Sequence, residues 1–177
     1  MTLPTMLSIV PVSSTALFTG AATYITCVEH PARLSIPPRS ALSYFQASFP
    51  RAAKFQASLA FLSSTTSFLR LYLNINSLPS ASKHPSSSFI PSSPSLRVYY
   101  TINGVAMASI ILLTILGLRK VNSKLMGTDK LRGKHALEDF EIKTLLRRWG
   151  WIHSIRTILA WIGFGSLLLA HIPHSIL

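Results

Sequence analysis

The sequence predicts an all-α integral membrane protein: a four-helix bundle with a short interfacial helix before the last span. Three observations predict it. Of 177 residues, 49% are hydrophobic and only 12% are Asp, Glu, Lys or Arg, about half the charged share of a soluble domain. The charges are clustered and leave long stretches empty. Four stretches approach the roughly 20 apolar residues that cross a bilayer. The length suits a single domain over residues 1–177.

The first span is expected over residues 7–28. No basic segment precedes it and its apolar run is long, so a retained helix fits better than a signal peptide. The second is expected over 53–73 and is the weakest, because Ser and Thr interrupt it and Arg70 stands near its end. The third, over 98–118, contains the uninterrupted run "VAMASIILLTILGL". The fourth is expected over 152–172. Gly20, Ala22, Gly104, Gly163 and Gly165 lie within these spans and would let helices pack closely.

The connections differ in character. Residues 74–97 are rich in Ser and Pro and predict a disordered connection. The first connection contains Pro37 and Pro38, which break a helix. Its Tyr44, Phe45 and Phe49 suggest a segment lying on the membrane surface. The third connection carries four of the five acidic residues. Its apolar positions recur at helical spacing from Ala136 to Trp149, with Asp139 and Lys143 spaced for an ion pair. This is the interfacial helix.

Net charge is +12, but the basic residues flank spans, which argues for lipid headgroups as partners and against nucleic acid. Their distribution places the first and third connections in the cytosol and both termini on the lumenal or exterior side. That multi-pass topology suits an endomembrane. Cys27 is the single cysteine; it excludes an internal disulfide and is expected to be a buried helix residue.

The same topology gathers four helix ends on one side. There the first span delivers Glu29 and His30 within "CVEHPARL", the second begins near Gln56, the third exits at Asn122, and the fourth enters through "RRWGWIHSIR". Trp149, His153 and Arg156 share a face of one continuous helix. Should Gly150 interrupt that helix, Trp151 could take the place of Trp149. Both tryptophans also read as interfacial anchors. Arg156 lies a turn inside its span, where a charge needs a partner, and Glu29 is the expected one. His30 and His153 are candidate proton acceptors. With Glu29 they are also a weak alternative metal pair for iron, copper or zinc. His30 before Pro31 could instead cap a short helix. Asn122 is a helix cap or a substrate donor. Arg33 reads as a topological charge only.

Three of these stretches together resemble one family. "GAATYITCVEHPARL" is similar to the opening motif of the anthrone oxygenase-like (DUF1772) family. "VNSKL" resembles its Asn-x-x-Leu signature, and Trp149, His153 and Arg156 resemble the Trp-x-x-x-His-x-x-Arg signature of its last helix. The long Ser/Pro-rich connection, the polar second span and "LRKV" before Asn122 depart from the family pattern.

The resemblance implies a small membrane oxygenase of fungal-type aromatic polyketide biosynthesis, oxidising an anthrone to an anthraquinone with O2. The implied catalytic residues are His30, His153, Glu29 and Arg156. Asn122, Trp149, Trp151 and Gln56 would bind a small aromatic substrate. No cofactor or metal is expected; the alternative is a metal ion at His30 and His153. A non-catalytic scaffold for biosynthetic enzymes, docking through Lys130, Arg132 and Lys134, is the competing function. A transporter ranks below it, because the third and fourth spans are apolar beyond the cluster.

Overall fold

The structure is a computed structural model that describes residues 3–76, 94–127 and 137–172. Every regular element among the described residues is helical. Helix α1 (Leu3–Tyr24) passes through a π turn (Ile25–Glu29) into α2 (His30–Ser35). Helix α3 (Pro38–Asn76) comes next, then α4 (Pro94–Leu113), a second π turn (Thr114–Leu118), α5 (Arg119–Leu125) and α6 (Asp139–His171). The parts expected to be disordered or basic at 77–93 and 128–136, with His84, Lys130, Arg132 and Lys134, lie outside the described residues, as does His174.

Three helical runs are long and apolar enough to cross a membrane: Met6–Ser35, Leu96–Leu125 and Asp139–His171. Helix α3 falls short on apolarity although its 39 residues reach about 58 Å at 1.5 Å per residue. Three of the hydroxyls that dilute it point inward. Ser63, Ser64 and Ser67 are buried, while Phe55, Phe61, Phe68 and Tyr72 are exposed. At mid-bundle Asn103 of α4 donates to Ser63 at 3.0 Å and to Ser67 at 2.8 Å, and accepts from Thr15 of α1 at 3.1 Å. The amide is thereby satisfied across three helices. Such bonds hold helices together where lipid removes the hydrophobic drive.

Close approach of α4 to its neighbours depends on small residues at two positions. A Cβ on Gly163 would meet Asn103 Oδ1 at 2.8 Å, and one on Gly104 would meet the Phe68 ring at 3.0 Å. Gly20 and Gly165, by contrast, face open space.

The helix ends correct several expectations. Ile36, before Pro37, is extended as a pre-proline residue must be, and Pro38 occupies the first position of α3. The prolines do interrupt the helix, and the chain beyond them enters α3 directly. Phe45 is fully buried there, in a cluster with Leu118, Leu125, Leu146 and Trp149.

The expected interfacial helix and the fourth span are one helix, α6, which begins with a reciprocal Glu138–Glu141 capping box and runs through Gly150 without a break. Asp139 pairs with Arg39 at 3.2 Å instead of Lys143. His30 does not cap α2, because it continues directly from the π turn and its N–H bonds back to Ile25 O. Cys27 is exposed, since the π turn carries it to the outer face.

Candidate active site

Four helices contribute to one cavity of about 220 Å³. Its apolar wall is Ala52, Ala53, Ala57 and Ala60 of α3 facing Ile110, Ile111 and Ile115. Its polar residues are Glu29, Arg33, Ser48, Gln56, Thr114, His153 and Arg156, with Trp149 among them. Both π turns border it, the first through Ile25 and Glu29, the second through Thr114 and Ile115. Single π turns recur at functional sites because the extra residue re-aims side chains within a helix.

The face shared by Trp149, His153 and Arg156 reaches this cavity as helical spacing requires. Trp149 is only 4% exposed; its ring stacks on His153 with centroids 4.8 Å apart and meets Phe45 edge-on at 5.4 Å. Trp151 is 70% exposed and outside the cavity. Two residues along an unbroken helix turn a side chain by about 200°, so Trp151 does not replace Trp149.

His153 is held through Nδ1, 3.1 Å from Thr26 Oγ1. Thr26 lies 2.8 Å from Thr157 Oγ1, and Thr157 donates to the carbonyl of His153 at 3.1 Å or of Ala22 at 3.4 Å. The tautomer follows from where Thr157 sends its hydrogen, to a carbonyl or to Thr26. With that hydrogen on a carbonyl, Thr26 donates to Thr157. Thr26 then accepts from His153 Nδ1–H. The lone pair falls on Nε2, which is buried and has no partner.

The expected Glu29–Arg156 pair does not form. Glu29 pairs instead with Arg33, one helical turn on in its own chain segment, a partner that local geometry supplies at no cost in loop closure. Arg156 donates to Gln56 Oε1 at 3.2 Å and lies 5.8 Å from the Phe18 ring centroid. Arg33 is the residue sequence reasoning passes over. It is 4% exposed, with its guanidinium over the rings of Tyr44, Phe45 and Trp149 at 5.2–5.5 Å. The available signal is its four-residue spacing from Glu29.

His30 stands behind Trp149, with centroids 5.8 Å apart, and does not line the cavity. Its ring occupies the room left by Gly150, where a Cβ would meet Nε2 at 2.0 Å. Asn122 does not line the cavity but a second groove, with Arg119, Ser123 and Met126, that shares Thr114 and Ile115 with it. Its backbone carbonyl, not its side chain, serves the helix end by accepting from Met126 N–H at 2.8 Å. Among the described residues no three His, Cys, Asp or Glu side chains converge on a common metal position. His171 caps its own helix by a 2.7 Å contact to Leu167 O.

Several buried polar atoms of this region have no protein partner: Arg33 Nε and Nη1, Gln56 Nε2, His153 Nε2, Arg156 Nε and Trp149 Nε1. Orphaned buried donors are costly and rare. Five of these six atoms belong to donor groups. The arrangement can hold a flat apolar body against the alanine wall, take one proton at His153 and donate to oxygen atoms.

Three helices long and apolar enough to cross a membrane, packed around one cavity with polar residues at one end, mark a membrane protein. The chain belongs to the anthrone oxygenase family, whose model matches residues 45–166, over two thirds of its length. The match begins at Phe45, so Glu29, His30 and Arg33 stand outside it. No curated protein and no solved structure matches the chain.

Proposed function

We propose that the protein is a membrane oxygenase that converts an anthrone to an anthraquinone with O2, in the biosynthesis of an aromatic polyketide of fungal type. The observation that carries this reading is the unpartnered His153 Nε2 in a buried, donor-rich cavity. Family membership supports the same chemistry.

An anthrone carries a doubly benzylic CH2. His153 Nε2 takes one of its protons and leaves an electron-rich anthranolate. That anion passes one electron to O2, and the carbon radical and superoxide combine to form a C–O bond. The peroxide is protonated by the imidazolium. Loss of the second benzylic proton with O–O cleavage then gives the quinone carbonyl and water. Anthrone plus O2 thus becomes anthraquinone plus H2O, and no cofactor enters. Arg156 and Gln56 donate to the oxygen on which charge develops. Trp149 and the alanine wall hold the rings.

In this reading α3 crosses the bilayer as a fourth span, with Ser63, Ser64 and Ser67 turned to the bundle and Phe55, Phe61, Phe68 and Tyr72 to lipid. The basic connections then face the cytosol of an endomembrane. The bilayer and the aromatic substrate are the partners.

Quinone formation from emodin anthrone by membranes carrying the protein tests this. His153→Ala lowers the rate by about 10²–10⁴, the usual worth of a general base. His30→Ala, outside the cavity, lowers it far less. Equal, wild-type rates in His153→Ala would sink the assignment.

A further inference from the structure

The charged groups lining the cavity do not balance. They are Glu29, Arg33 and Arg156, two guanidiniums to one carboxylate. Glu29 is taken by Arg33. Among the described residues no carboxylate pairs with Arg156; its hydrogen-bond partner is the neutral Gln56. A lone buried cation is expensive, the more so within a membrane segment. A ring face such as that of Phe18 at 5.8 Å offsets only part of that.

The unpaired atoms point the same way. Arg33 Nε and Nη1, Arg156 Nε and Gln56 Nε2 are all donors, on side chains at least nine-tenths buried. His153 Nε2 is the exception. We infer that the cavity takes its aromatic ligand as an oxygen anion, with Arg156 as counter-ion and Arg33 as a second donor. The ligand class is a flat polycycle bearing an ionised phenolic or carboxylic oxygen apart from the CH2 that His153 deprotonates. Arg33 thereby acquires a role in binding, beyond topology. The inference rests on the cavity being the substrate site of the proposed oxygenase.

Two probes of equal shape test it: anthraquinone-2-carboxylate and 2-(hydroxymethyl)anthraquinone, titrated into the purified full chain by tryptophan quenching. The carboxylate binds the wild type at least tenfold more tightly. Arg156→Gln removes most of that difference, and Arg156→Lys, which keeps the charge, retains part of it. Arg33→Gln reduces it. Equal affinities of the wild type for both probes would overturn the inference, and that comparison needs no variant to fold. An unchanged preference in Arg156→Gln would also overturn it. The oxygenase assay on the same preparation separates the two ideas. Anthrone turnover without anion preference defeats this inference alone; anion preference without turnover defeats only the proposed reaction.

Discussion

Thr26 is the position where the proposed chemistry can be tested without touching the cavity. It does not line it, yet its hydroxyl accepts from His153 Nδ1 at 3.1 Å and bonds Thr157 at 2.8 Å. Thr26→Val keeps shape and volume and removes both contacts. His153 Nδ1–H is then buried with nothing to accept it, which costs about 1–2 kcal/mol. The imidazole can relieve that cost by turning or by moving its proton to Nε2, and either change removes the base from the cavity. At about 1.4 kcal/mol per tenfold, kcat for anthrone oxidation falls roughly five- to thirtyfold. KM stays near wild type because the groups that hold the rings, Trp149 and the alanine wall, are untouched. Thr26→Ser, which retains the oxygen, recovers most of the rate. The assay is quinone absorbance in membranes with protein levels matched by immunoblot. A wild-type kcat in Thr26→Val would refute the tautomer argument, and so would an increase in KM at constant kcat.

Two further outcomes concern the fold. Asn103→Ala removes three interhelical bonds, each worth about 0.6 kcal/mol in a membrane bundle, so stability in detergent falls by about 2 kcal/mol. A melting temperature within error of wild type would mean that the network does not hold α1, α3 and α4 together. Gly150→Ala places a methyl where the His30 ring stands, an overpacking that costs about 1–3 kcal/mol. Adding His30→Ala then restores part of the loss, seen as positive coupling in a double-mutant cycle of melting temperatures.

The features legible in the residues and those that are not divide along a physical line. Apolar length marks α1, α4 and α6, because a continuous hydrophobic run needs no tertiary context. Helical spacing brings Trp149, His153 and Arg156 to one face, and Gln56 meets them as the antiparallel order requires. Helix α3 reads as the weak span because hydropathy counts a hydroxyl as polar wherever it points. Only packing turns Ser63 and Ser67 inward onto Asn103. Partner choice also lies beyond the pattern. Glu29 has two candidate arginines, and the one a helical turn away wins. Arg33 reads as a topological charge for that reason. The π turns have no composition signature, so neither the exposure of Cys27 nor the aim of Glu29 can be foreseen.

Those π turns carry a consequence for how the cavity can change. Each holds one residue more than an α-helix needs over the same rise. Deleting a single residue within Ile25–Glu29 would let the segment rewind as α-helix while α2 keeps its phase, so the change of aim is confined to the turn itself. Ile25 and Glu29, the turn's residues at the cavity, would be re-aimed although neither amino acid had been substituted. The lip of the cavity is thus specified by chain length as well as by residue type. A one-residue insertion or deletion there is a route to a different ligand that substitution scanning would never visit.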